Sequence, residues 1–172
     1  TTRTGRGLQP FDVSGNVLRI SSMRLTLTKR SGDAIRMLVH LAGLPEGTMR
    51  TTAQLAEECS VSAGNVPTLV ATLARARLLA CTPGRGGGCR LARPAEEITV
   101  AEAVAALEGS LELDRCAIDE RRCTDREFPC GLHLTWSEAH ADLIANLSGL
   151  TLAEAVRRSE ANERNAGRRR SI

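Results

Sequence analysis

Residues 78–109 read LLACTPGRGGGCRLARPAEEITVAEAVAALEG. Two short runs, Leu78 to Thr82 and Cys89 to Ala92, flank the segment PGRGGG. This arrangement predicts a β-hairpin whose glycine-rich tip bears Arg85, because glycine adopts positive φ without steric cost. The glycines do not form a phosphate loop. No lysine with a following Ser or Thr comes after them, and no helix begins there. Beyond the hairpin, Thr99 with Glu102 three positions on is a capping-box signature for a helix reaching Leu107.

Upstream of the hairpin, SVSAGN (60–65) is a turn that leads into a helix from near Asn65 to about Arg77. Pro67 is acceptable there because a first helical turn does not need its N–H. A shorter helix, Thr52 to Cys59, precedes the turn and directs Leu55 and Ala56 inward. Two helices joined by a short turn, the second carrying Asn65, Thr68, Thr72 and Arg75, and then a hairpin, make a helix-turn-helix with a wing. Ile35, Leu38, Leu41 and Ala42 recur on one face of an earlier helix that starts at Thr28 and stops at Pro45, Glu46 and Gly47. The expected fold is mainly α with a small β-hairpin wing. Residues 27–110 form the winged helix-turn-helix domain, and residues 1–26, rich in Thr, Arg, Gly and Ser, form a flexible N-terminal extension.

Downstream, residues 114–136 read DRCAIDERRCTDREFPCGLHLTW. Cys116, Cys123 and Cys130 are evenly spaced, as in a heptad seam. The intervening Asp119, Glu120, Arg121, Arg122, Asp125, Arg126 and Glu127 argue against a buried seam, and Pro129 breaks any helix before Cys130. Thiolates and imidazole are ligands of iron–sulfur clusters and of zinc, so residues 111–131 are a candidate cluster-binding loop, with His133 within reach of the same centre. Three Cys and one His also make a legitimate zinc set, although common zinc modules pair their ligands more closely in sequence. Next, Leu132, Trp136, Ala139, Leu143, Leu147 and Leu150 recur at spacings of three and four, a long helix with a narrow apolar seam suited to a dimer interface. Thr151 and Glu154 cap a last helix, TLAEAVRRSE, so residues 132–160 are read as dimerisation helix and C-terminal helix. Residues 161–172, polar and arginine-rich, are expected to be a disordered tail.

Composition narrows the function classes. Of 172 residues, 42% are hydrophobic, enough for one core, and 2% are aromatic, so that core is built from Leu, Val, Ile and Ala. No apolar run approaches the roughly 20 residues of a membrane helix. Net charge is +3, and Lys29 is the only lysine among 23 basic residues. Arginine bias reflects a GC-rich genome, and arginine also suits phosphate and base edges through its planar fork. No secretory leader is recognisable. The expected compartment is the reducing cytoplasm, where close cysteines indicate metal or redox chemistry more than disulfides. Cys59, Cys81 and Cys89 read as small buried hydrophobes, with Cys81 and Cys89 placed to pair across the hairpin under oxidation. His40 and His140 fall within helical segments, in packing or surface roles. No nucleophile–base constellation or nucleotide loop stands out, so an enzyme is not expected.

From about Leu27 to Glu160 the order of these parts resembles the Rrf2 family of bacterial winged-helix regulators. LTKRSGDAIRMLVHLA (27–42) resembles the family's opening helix. RGGGCRLARPAEEITVAEAVAALEG (85–109) resembles its wing and following helix and is the most specific match. Three cysteines before the long helix complete the likeness. The resemblance implies a homodimeric repressor that binds a palindromic operator in double-stranded DNA, with an iron–sulfur cluster at the dimer edge controlling affinity. CGLHLTW is similar to the branch that regulates iron–sulfur biogenesis, which implies a 2Fe–2S cluster on Cys116, Cys123, Cys130 and His133. A nitric-oxide-sensing branch includes members with a 4Fe–4S cluster that takes an aspartate from the partner's first helix. Gly32 stands at that place here, with Asp33 beside it as the alternative fourth ligand. The cysteines are one residue further apart than is usual, and Cys89 replaces a wing tyrosine. For DNA, Ser62, Asn65 and Thr68 are the expected base or phosphate contacts in the major groove. Arg75 and Arg90 are expected at phosphate, and Arg85 in the minor groove. The expected signal is redox state, nitric oxide or iron–sulfur status. The alternative is a zinc-stabilised or metal-free winged-helix regulator.

Overall fold

The computed structural model describes residues 27–109, 111, 122, 128 and 130–170. The expectations for residues 1–26, for most of the cysteine segment including Cys116 and Cys123, and for 171–172 lie outside the described residues. Six helices and one hairpin follow in the order α1 (Lys29–Ala42), α2 (Thr52–Glu58), α3 (Val66–Arg75), β1 (Leu79–Thr82), β2 (Gly88–Leu91), α4 (Val100–Glu108), α5 (His133–Gly149) and α6 (Leu152–Arg170). The fold is mainly α with a small β wing, as the periodicities require.

Thr28 starts α1, its hydroxyl accepting from the Ser31 N–H at 3.2 Å. Ala34, Met37, Leu38 and Leu41 are buried at i, i+3, i+4 and i+7, the stripe that faces a core. Ile35 and Ala42, expected on the same face, are partly buried against it. Thr51 and Gln54 form a reciprocal capping box at α2 and bury Leu55. Helix α3 carries Pro67 in its first turn and buries Val66, Leu69, Val70 and Leu73. It ends two residues before the expected Arg77, which takes a left-handed φ of 57° and redirects the chain into β1. Leu78 N–H then closes on the Leu73 carbonyl at 3.0 Å.

The strands pair antiparallel, with Leu79 opposite Leu91 and Cys81 opposite Cys89. Gly86, at φ 78° beside Arg85, occupies a conformation that an L side chain strains to reach. The wing is tied to the segment before α2 by a further bridge, in which Arg50 N–H donates to the Cys89 carbonyl at 2.9 Å and Cys89 N–H to the Arg50 carbonyl at 2.8 Å. Any Cβ at Gly88 would meet the Arg50 carbonyl oxygen at 2.8 Å, so only glycine permits this approach.

The core joins α1, α2, α3, β1 and α4 to the start of α6, where Leu152 is fully buried. Each such Leu or Met contributes about 1.5–3 kcal/mol relative to exposure. Thr99 and Thr151 meet in a bridge, with Val100 N–H on the Leu150 carbonyl and Leu152 N–H on the Ile98 carbonyl, both 2.8 Å. Helix α5 packs on α4 yet has no buried residue. Helix α6 runs ten residues beyond the expected end at Glu160, into the stretch read as a disordered tail. Its polar composition conceals good helix formers, and Arg164 pairs with Glu160 one turn back at 3.6 Å. Glu154 departs from the expected box in part: its N–H caps on Thr151, while its carboxylate accepts from Arg157 and Arg158.

At α4, Thr99 accepts from the Glu102 N–H while the Glu102 carboxylate accepts from the Thr99 N–H and from Arg93 at 2.6 Å. Burial pushes the Glu102 carboxyl up, but the Thr99 N–H and Arg93 outweigh it, and the group sits below its ordinary value. Thr99→Ala is expected to lower the unfolding free energy by about 1 kcal/mol, read from urea melts. Because the folded Glu102 value is depressed, its contribution is present at neutral pH and lost as pH falls through the folded value. Glu102→Gln should therefore lower stability at neutral pH and flatten the acid limb of the stability profile.

Candidate nucleic-acid interface and cysteine centre

One buried face holds α3, so its opposite face is available for contact. Ser62, Asn65 and Thr68 are exposed around its N-terminal end. Asn65 is the residue before the first helical turn, and its side chain makes no capping bond. Its N–H donates to the Ser62 carbonyl at 2.8 Å, which draws these two residues into one turn. Arg75, exposed at the other end, reaches Thr72 Oγ1 at 3.4 Å. Arg85 at the wing tip and Arg90 on β2 are exposed. The turn and α3 thus carry three polar candidates and one arginine, and the wing carries the other two arginines.

Two residues passed over by the sequence reading matter here. Arg77 is exposed at the α3–β1 junction, between the two candidate contact elements. Arg50 has a structural part. Its Nε donates to both Glu58 oxygens at 2.9 and 3.1 Å, while His40 Nε2 contacts Glu58 at 2.6 Å. Glu58 is held below the usual carboxylate range, first by the His40 hydrogen bond and also by Arg50. This cluster links α1, the end of α2 and the wing base. Its only sequence signal was an arginine directly before a capping threonine.

Of the cysteine candidates, Cys130 and His133 are described. The His133 N–H donates to the Cys130 carbonyl at 3.0 Å, so thiol and imidazole leave a single turn at the head of α5. That donor pair, one soft and one borderline, fits an iron–sulfur or zinc centre. Asp33 is placed differently. It is 3% exposed, one oxygen on Lys29 Nζ at 2.9 Å and the other on Arg36 Nη1 at 3.4 Å. Both oxygens are therefore engaged within its own chain. Cys59 is buried as expected, and burial followed by the nearby Glu58 charge pushes its thiol up, which makes it a poor ligand or nucleophile. Cys81 corrects the sequence reading. It is exposed rather than buried, and it is disulfide-bonded to Cys89, its cross-strand partner.

The Rrf2 family profile, described as iron-dependent transcriptional regulator, matches residues 27–158. The chain belongs to the Rrf2 family. Its fold is shared with solved Rrf2 regulators. The structure of CymR, the global cysteine regulator of B. subtilis, superposes with a TM-score of 0.63 at 20% identity, covering 77% of this chain and 97% of that one. The T. potens IscR structure gives 0.62 at 22% identity, covering 83% and 92%. The oxidised form of Staphylococcus aureus CymR gives 0.61 at 21%, covering 77% and 96%. Rrf2 proteins are DNA-binding transcriptional regulators. Among the described residues no helix is long and apolar enough to cross a membrane.

Arg85→Ala and Arg75→Ala should each weaken duplex binding and lower the slope of log affinity against log salt by about one, with unchanged helicity. Anisotropy titrations across a salt series check this. An unchanged slope would remove the residue from the phosphate contacts.

Proposed function

We propose that this chain is a homodimeric repressor of the Rrf2 family. On this reading its affinity for a palindromic operator is set by an iron–sulfur cluster on Cys116, Cys123, Cys130 and His133. The observation that carries the reading is the Cys130–His133 turn at the head of α5, a helix with no buried residue of its own. A 2Fe–2S core suits three thiolates and an imidazole; a 4Fe–4S core on Asp33 would first have to draw that carboxylate away from Lys29 and Arg36. When bound, the cluster supplies a redox-active core that reacts with nitric oxide and ties the cysteine segment to the head of α5.

The chain's own residues do the rest. Leu132, Trp136, Leu143 and Leu147 leave an apolar seam along α5, which a second copy of the chain would cover. Helix α5 packs on α4, and α4 packs on both α1 and α3. A change at the head of α5 therefore reaches the recognition helix through one intermediate helix. In the dimer it alters the spacing of two α3 helices, and operator affinity follows because ligand and DNA favour particular arrangements. Ser62, Asn65 and Thr68 meet the major groove, Arg75 and Arg90 meet phosphate, and Arg85 enters the minor groove.

The test is the absorption spectrum of anaerobically purified protein, with iron and sulfide counted per chain. Structured visible bands with matching iron and sulfide are expected, and Cys123→Ala should lose them while remaining a folded helical dimer. A colourless protein that takes up no iron on reconstitution would remove cluster sensing; stoichiometric zinc in its place would make the centre structural.

A further inference from the structure

The Cys81–Cys89 pair stands apart from the three cysteines before α5 and has its own surroundings. The two residues face each other across β1 and β2 and are bonded, eight positions apart, around the tip that carries Arg85. Cys81 is exposed, whereas Cys89 is 4% exposed and hydrogen-bonded in both directions to the Arg50 backbone. Arg50 in turn holds Glu58 at the end of α2. One cysteine thus lies at the surface, and the other is built into the junction between wing and helix-turn-helix.

We propose that Cys81 and Cys89 are a thiol–disulfide redox site that sets the rigidity of the wing, with small-molecule or protein dithiols as its reaction partners. A dithiol's thiolate attacks the sulfur of the exposed Cys81 and forms a mixed disulfide, and Cys89 leaves as a thiolate that takes up a proton. The reagent's second thiol then closes on its own sulfur, releasing Cys81 as a thiol. The wing gains two electrons and two protons, and the dithiol becomes a disulfide. Without the cross-link, the tip rests on a two-stranded ladder of four-residue strands, a marginal structure by itself. With it, Arg85 is presented from a closed loop anchored at Arg50. The oxidised wing is the better preorganised for DNA, an effect that rests on the DNA-binding reading above.

The experiment equilibrates the full chain anaerobically in buffers of reduced and oxidised dithiothreitol and quenches with an alkylating agent. Modification of Cys81 and Cys89 is read by peptide mass spectrometry. Anisotropy with a labelled mixed-sequence duplex runs on the same samples, beside Cys81→Ser and Cys81→Ala, both at an exposed position. In the wild type the two cysteines should convert together in one transition, and the oxidised form should bind about fivefold more tightly through preorganisation. Both variants should lose that step. Changes at the other cysteines appear equally in wild type and variants and so cancel in the comparison. Full alkylation of Cys81 and Cys89 at every buffer ratio would overturn the redox site. The same affinity step in the variants would overturn its control of the wing. If no protein bound the duplex, the DNA-binding reading would fall together with the affinity effect, while alkylation would still decide the redox couple.

Discussion

Val66, Leu69, Val70 and Leu73 hold α3 to the domain by one face, and most of the site follows from that packing. With that stripe buried, Thr68 and Arg75 have to point away from the core. The stripe needs opposing surface, which α1 supplies through Met37, Leu38 and Leu41, and α4 through Ala103. A core with so few aromatic rings relies on close contact of small branched side chains, which tolerate little displacement. Helix α3 is therefore closely packed against α1 and α4.

The wing depends on a different constraint. A hairpin this short gains little from its own ladder, and it is secured from outside by the two Arg50–Cys89 backbone bonds and by the absent side chain at Gly88. Arg50 is also the residue through which Glu58 and His40 join the assembly. Wing, α2 and α1 meet at one residue whose side chain and backbone both have partners. The cross-strand disulfide adds a covalent tie at the same place.

Helix α5 has no buried residue within the described part of the chain. Leu134 is 69% exposed and Leu132 52%, at the end that begins with the Cys130–His133 turn. In the function proposed above, these exposed leucines are where a second chain would meet this one, beside the ligands of the bound centre.

Much of the fold was legible in the sequence. Thr28, Thr51 and Thr99 mark helix starts because capping is local chemistry. The α3 stripe and the glycine-rich hairpin follow from periodicity and from φ preferences, which need only neighbours in the chain. The exposure of Thr68, Arg75 and Arg85 followed from the same patterns. What the sequence could not give were relations between distant segments. The Lys29 and Arg36 partners of Asp33 lie within one helical turn and were legible, but its burial to 3% exposure depends on what packs over α1. The cross-strand pairing of Cys81 with Cys89 was legible, but the exposure of Cys81 beside a buried Cys89 was not, because it depends on what packs against each strand. Helix α6 outran its expected end, and the one pair described there, Arg164 with Glu160, is local. Arg50 carried no periodic signal, since its importance comes from where β2 passes. Capping and apolar periodicity are properties of a few consecutive residues and can be read from the chain. Partners, depth of burial and register depend on which surfaces meet, and only the tertiary structure decided those.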